Sequence, residues 1–184
     1  VTAAGSSIAG SNTTTPDDVL NIGGSGFDLR QAFELSGLTA NSTGTTTTDT
    51  SSTDDLNLTG AATFNNSGAF ELQGADSVVS SDGTGNFVNT GILAKANSGR
   101  AVIGSIVNNS DLTFQNTGGT ISVASGGELE FQDGGSFTGV TTFNTAGGTG
   151  KIDFHTGTFT VAEAAAFQGV TTNDLTLFME SENG

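Results

Sequence analysis

Hydrophobic and polar residues alternate over short stretches through most of the chain, and Gly, Asn, Asp or Ser bounds each stretch. A period of two over three or four residues predicts a short β-strand with one buried face. The clearest stretches lie at 69–72, 112–114, 120–123, 128–131, 151–154 and 158–161. From Leu56 to about Leu177, the pattern therefore predicts an all-β fold made of many short strands.

A loose repeat accompanies the predicted strands. Its template is an apolar residue, any residue, Asn, a small polar residue, a turn residue, any residue and an apolar residue. Copies start at Phe64, Phe87 and Ile106. A second form, an aromatic residue followed by a polar one, begins at Phe114, Phe131, Phe143, Phe154 and Phe167, and we interpret its shorter spacings as half-turns of the same coil.

This repeat predicts a parallel β-solenoid, or β-helix, in which each coil buries its inner face only by stacking on its neighbours. We call one coil a rung. Rungs of about 20 residues give about six of them over 56–184. The alternative is a β-sandwich or jelly roll, but its strands are usually longer, and its core usually contains the Trp or Tyr that this chain lacks.

A short amphipathic helix is predicted at about 28–36. Asp28 and Gln31 match a capping box, Leu29 and Phe33 are spaced by one helical turn, and glycine follows the segment. Residues 1–38 are then a lead-in that caps the solenoid. Residues 39–55 are almost all Thr, Ser, Asn, Gly and Asp, which predicts a linker or loop, and 56–184 are the solenoid.

The charge balance excludes some partners. The chain has 19 Asp and Glu against 4 Lys and Arg, a formal net charge of -15. Nucleic-acid binding depends on basic side chains that neutralise phosphates, so neither nucleic acid nor an anionic membrane is expected. No apolar run is long enough to span a bilayer. The chain has no Cys, which favours an exported protein slightly.

The sequence at 64–70 and 87–93 resembles the repeats of right-handed parallel β-helix adhesins, the filamentous-haemagglutinin-like and autotransporter-passenger proteins of bacterial surfaces. The similarity extends over roughly Leu56 to Val161. It implies a secreted or cell-surface protein of elongated shape that works in adhesion or in a surface filament.

No catalytic set is expected. His155 is the one histidine, and the alternation of its strand points it outward as a surface residue. Glu128 and Glu130 share one strand face, where we expect a solvated acidic stripe and not a catalytic pair. No cofactor is predicted, and the chain is not expected to be an enzyme.

The acidic composition permits divalent cations, and weak calcium binding is the prediction. Asp28 ends a segment that begins like a calcium-binding nonapeptide, and Asp54 and Asp55 are adjacent oxygen donors. A defined metal site is not predicted.

Assembly is the sharper functional prediction, because a solenoid ends in strands with unpaired backbone groups. The last apolar stretch is expected to pair with the region around 19–22 of another copy, which gives head-to-tail fibres. The predicted contact residues are Val19, Leu20, Ile22, Leu175, Leu177 and Phe178.

The sequence therefore predicts an extracellular structural protein, either a filament subunit or an adhesin stalk. Its partners would be other copies of itself or flanking adhesin domains. The alternative is a β-helix that binds or cleaves carbohydrate, with a glycan or host-surface ligand. The absence of Trp and Tyr weighs against that alternative, because sugar sites usually contain aromatic platforms.

Overall fold

The chain coils into a three-sided parallel β-solenoid. The computed structural model describes residues 2–4, 7–9, 18–24, 26–30, 32–48, 50, 55–81, 84–104, 112–146, 150–161 and 175–179. In these ranges it contains strands and turns but no helix. The strands, numbered β1 to β22 in chain order, form three sheets of seven, eight and seven strands, and every pairing between them is parallel. The predicted β-solenoid is confirmed.

Successive strands pass through sheets A, B and C in that order, so three strands make one rung. Sheet A contains β1 (Thr2–Ala4), β4 (Phe27–Arg30), β7 (Thr45–Thr48), β10 (Ala69–Leu72), β13 (Ile92–Lys95), β16 (Thr120–Ala124) and β19 (Thr142–Ala146). Sheet B contains β2 (Ser7–Ala9), β5 (Phe33–Ser36), β8 (Leu56–Thr59), β11 (Asp76–Ser81), β14 (Gly99–Ile103), β17 (Gly127–Phe131), β20 (Gly150–Phe154) and β22 (Leu175–Met179). Sheet C contains β3 (Val19–Ile22), β6 (Thr39–Ser42), β9 (Thr63–Asn66), β12 (Asn86–Asn89), β15 (Thr113–Thr117), β18 (Gly135–Thr138) and β21 (Phe159–Val161).

The core is one column of stacked side chains between the three sheets. Phe64 and Phe87 are register partners, and their rings stack with centroids 5.3 Å apart. Phe114 continues the stack in the next rung, 6.0 Å from Phe87. Phe70, from sheet A, meets Phe87 edge to face at 5.2 Å. Offset stacking and edge-to-face contact are the arrangements that aromatic rings prefer, so the rings stabilise both the rung spacing and the angle between the sheets.

The repeat is confirmed in its first two copies and wrong in the third. Phe64 pairs with Phe87 as expected, but Phe87 pairs with Phe114 in the next rung and not with Ile106. Ile106 and Phe167 lie outside the described residues. Rungs differ in length, since equivalent asparagines are 20, 24, 23 and 27 residues apart.

The predicted helix at 28–36 is wrong, because these residues form β4 and β5. Leu29 and Phe33 face the core at 1% exposure, but Ala32 between them is exposed at the corner of the coil. The helical spacing therefore came from two strands with a corner between them. Asp28 caps no helix, and its carboxylate accepts a 2.6 Å hydrogen bond from Thr47 in the next rung.

The linker predicted at 39–55 is also wrong where the structure describes it, because β6 and β7 lie in this segment. Thr46 and Thr48 occupy core positions in register with Phe27 and Leu29. The Thr46 hydroxyl lies 2.9 Å from that of Ser42, and the Thr48 hydroxyl accepts a 2.9 Å bond from the backbone of Gln73. Hydrogen-bonded threonines therefore fill core positions that apolar residues occupy elsewhere.

Asparagine lies at the corner between sheets C and A because of its side-chain hydrogen bonds and not because of its backbone conformation. The described non-glycine residues with positive φ are Ala61 and Asp133, so these asparagines are not selected for left-handed backbone. Asn66, Asn89 and Asn116 instead point inward and form a buried ladder. Asn66 donates to the side-chain oxygen of Asn89 at 2.7 Å, and Asn89 donates to that of Asn116 at 2.6 Å. Asn116 donates to the Gly119 carbonyl at 3.0 Å.

Candidate functional site

The predicted assembly segments lie at opposite ends of the solenoid. β3, with Val19, Leu20 and Ile22, is the first strand of sheet C. Val19 is 54% exposed, whereas Ile22 is 8% exposed and Leu20 is half-buried against the core. The outer edge of β3 has no neighbouring strand among the described residues.

The C-terminal assembly residues lie on β22, the last strand of sheet B. β22 pairs with β20 in parallel, so that Leu177 lies beside Ile152 and Phe178 beside Asp153. Leu175 pairs with Gly150. Sheet B has eight described strands and the other two sheets have seven, and the residues between β21 and β22 lie outside the described ranges.

Charged side chains are concentrated on the outer face of sheet B. Arg100 binds Glu130 through two nitrogens at 2.5 and 2.7 Å. Lys151 donates to Glu128 at 2.9 Å and to Asp153 at 2.8 Å. The expected acidic stripe exists, but it is solvated only in part. Glu130 and Asp153 are 4% and 3% exposed, so their charges depend on the two cations beside them.

The ion pairs shift the titration of this cluster. Burial alone would raise the pKa of Glu130, but hydrogen bonds from Arg100 and Gln132, with the charges of Arg100 and His155, lower that pKa below its ordinary value. The pKa of Lys151 is raised, chiefly by its hydrogen bond to Asp153. Both shifts favour the charged forms, so the cluster is a paired network at neutral pH.

Among the described residues, the acidic group with metal-binding geometry is Glu128, Glu130 and Asp153, whose ligand atoms lie within 4.8 Å of one another. The Lys151 ammonium already bridges two of these carboxylates. The weak calcium candidates lie elsewhere. Asp28 bonds to Thr47 on sheet A, and Asp55 is fully buried before β8. Asp54 is outside the described residues, so calcium binding by these three residues stays a prediction.

His155 lies just after β20 and is half-buried. Its backbone nitrogen donates to the Phe131 carbonyl at 2.9 Å. Its imidazole is near enough to Glu130 for its charge to lower the pKa of that carboxyl. His155 therefore lies beside the charge network on sheet B.

Sequence reasoning missed a buried lysine. Lys95 is 1% exposed on β13, in register with the core residues Leu72 and Val123. Its ammonium reaches the corner between sheets A and B, where it donates to Asn97 and, at 3.2 Å, to the Ser98 carbonyl. Burial lowers the pKa of Lys95. Alternation along 92–95 gives the inward direction of this side chain, but its basic character argued against a core position.

No family model, curated protein or solved structure matches this chain. The described residues also contain no helix that is long and apolar enough to cross a membrane. The β-solenoid fold is therefore identified from the register of its strands alone.

Proposed function

We propose that this chain is an extracellular structural protein, a subunit of a surface filament or the stalk of an adhesin, that acts without catalysis. The single core column supports a spacing role, because a solenoid gains length simply by adding rungs. The eight strands of sheet B extend over about 34 Å at about 4.8 Å per strand. Its partners would be other copies of the chain or flanking adhesin domains.

The edges of β21 and β22, which no described strand covers, are the observation that carries this proposal. The chain passes through sheets A, B and C in order, and β22, the last described strand, lies on sheet B. The next position along the same coil therefore lies on sheet C, against β21. If a second copy starts there with β1, its β3 falls on sheet B, directly against β22. Head-to-tail stacking thus continues the coil if each copy is rotated about the rod axis so that its sheet A extends sheet C of the copy before it.

The apolar residues of the end rungs also support stacking. Leu20 and Phe159 face the core column but are only partly buried, whereas Phe64 and Phe87 in inner rungs are 1% and 0% exposed. Another rung would bury them. At about 25 cal/mol per Å² of apolar area, covering these side chains favours end-to-end contact over free ends.

Negative-stain electron microscopy and size-exclusion chromatography test this proposal. The wild type should form rods longer than one subunit, and Val19→Lys should shorten them, because an edge lysine opposes strand pairing. Ile92→Lys is the matched control, since Ile92 is 44% exposed in the middle of sheet A. A wild type that stays monomeric at every concentration, or fibres that Val19→Lys leaves unchanged, would rule out this contact.

A further inference from the structure

A groove crosses the outer face of sheet C at β15, β18 and β21. It is open to solvent along its length and has a volume of about 460 Å³. Gln115, Ser136 and Thr160 are register partners on these three strands, so the small Ser136 lies between two larger side chains. β18 is therefore the floor of the groove, and β15 and β21 are its walls. The walls are about 9.6 Å apart, which is two strand spacings.

Glycine allows a close approach between neighbouring rungs where β18 begins. Gly134 precedes β18 with a φ of 85°, and a Cβ there would lie 2.4 Å from the Thr158 carbonyl oxygen. Gly134 and Gly135 each donate a backbone hydrogen bond to the neighbouring rung, at 2.9 and 3.0 Å. Phe114 and Phe137 pack beneath the floor, with ring centroids 5.6 Å apart. The groove is thus formed by backbone and core that are already ordered, which lowers the entropic cost of binding.

Neutral polar groups line the walls. Thr113, Thr158 and Thr160 present exposed hydroxyls, and Gln115 presents a half-buried amide. Asp133 is the one charged residue among the lining residues. Hydroxyl and amide groups both donate and accept, and a carboxylate accepts strongly from hydroxyls.

We propose that this groove binds a short segment of a neutral carbohydrate chain through hydrogen bonds, without the Trp or Tyr platform that sugar sites usually contain. A ligand rich in hydroxyls matches the paired donors and acceptors of the walls. The lining lacks a cation, so acidic sugars and phosphates would meet Asp133 without compensation.

An extended peptide fits this groove less well. The backbone groups of the floor strand β18 are already paired with β15 and β21, so a peptide could extend the sheet only at the outer edge of β21, beside the groove and not in it. Phe114 and Leu112 are buried beneath the polar lining, and no deep apolar pocket is available for peptide side chains. The groove lies beside the outer edge of β21, but its lining side chains face outward from the sheet, so sugar binding and end-to-end stacking can be measured separately.

Titration followed by two-dimensional amide NMR tests the groove. The probes are cellotetraose, maltotetraose and chitotetraose, with trigalacturonate as the acidic sugar and a neutral Ser/Thr-rich octapeptide as the peptide. At least one neutral sugar should shift the amide signals of Thr113, Ser136 and Thr160 in a saturable way. Trigalacturonate and the peptide should bind more weakly.

Gln115→Ala and Thr160→Ala should each weaken binding about fivefold, the effect of losing one neutral hydrogen bond. Asn144→Ala is the control, because it removes an exposed amide from sheet A. No saturable shift with any of the three neutral sugars, stronger binding of trigalacturonate or the peptide, or equal losses in the control would overturn the proposal. Filament formation in the same samples reports separately on the rod ends.

Discussion

The side-chain amide of Asn66 donates a 2.7 Å hydrogen bond to Oδ1 of Asn89, one rung further along the solenoid. Asn89 is fully buried and donates in turn to Asn116 at 2.6 Å. A slip of one residue between these strands would turn the amides outward and leave buried groups unpaired. The ladder therefore fixes the register between rungs at this corner.

Asn89→Ala should lower the free energy of unfolding by about 2–4 kcal/mol, because it removes the partner of two buried amides. Asn65→Ala is the matched control, because Asn65 lies on the outer face of β9 and its amide donates to the outward Asn41 at 2.9 Å. Its cost should be at most about 0.5 kcal/mol. Urea denaturation followed by circular dichroism measures both values. Equal costs for the two variants would contradict the structural role of the buried ladder.

Ser42→Asn should extend the ladder by one member. Ser42 is the register partner of Asn66, whose Oδ1 is buried without a hydrogen-bond partner among the described residues. An asparagine amide there could donate to that oxygen, which should raise the free energy of unfolding by about 1 kcal/mol. Ser42→Ala, which only loses the bond to Thr46, should lower it. A Ser42→Asn variant no more stable than Ser42→Ala would show that the corner has no room for the amide.

Glu130→Gln should destabilise the solenoid at neutral pH and not in acid. The pKa of Glu130 is lower in the folded chain, so this carboxylate stabilises the fold above its unfolded pKa of about 4.3 and loses that effect as the pH falls through its lower folded pKa. Arg100 is 39% exposed, and solvent screening reduces the loss to about 1–2 kcal/mol. Thermal unfolding from pH 7 to pH 2 measures the gap in melting temperature between wild type and variant. A gap that persists at pH 2 would contradict the ion-pair explanation.

Lys95→Met should raise the free energy of unfolding by about 1 kcal/mol at pH 7. The change removes a buried charge, and water can reach Asn97 and Ser98 at the partly exposed corner. Burial lowers the pKa of Lys95, so the wild type gains stability as the pH rises from that folded pKa towards the unfolded value of about 10.4. The advantage of the variant should therefore shrink between pH 7 and pH 10. A variant less stable than wild type at pH 7 would show that the two hydrogen bonds of Lys95 outweigh its burial.

The alternation of apolar residues was enough to predict the strands whose inner positions are Phe, Leu, Ile or Val. It found Ala69–Leu72 and Thr120–Val123, which lie in β10 and β16. It failed at β7, because Thr46 and Thr48 are polar residues in core positions. The half-turn interpretation failed because the coil has three sides. Phe114 and Phe131 lie on sheets C and B, two sides apart along the chain.

The charge network could not be predicted, because its partners are distant in sequence. Arg100 and Glu130 are 30 residues apart and meet only because the single rung that joins β14 to β17 has a particular length. The same holds for the groove on sheet C, where the register of Gln115 with Ser136 depends on a shorter rung. The length of a rung depends on the number of residues in its corners, and the alternation of apolar residues along a strand does not encode that number.

Engineered cysteine pairs test the central claim, the stacking of successive rungs, because the chain has no cysteine of its own. Val88 is the register partner of Asn65 on one side and of Gln115 on the other. Cα atoms of register partners are about 4.8 Å apart, within disulfide range, and those two rungs apart are about 9.6 Å apart, beyond it. Mass spectrometry without reductant should therefore show a disulfide in Asn65→Cys/Val88→Cys and free thiols in Asn65→Cys/Gln115→Cys. Free thiols in the first variant together with a disulfide in the second would contradict the coil.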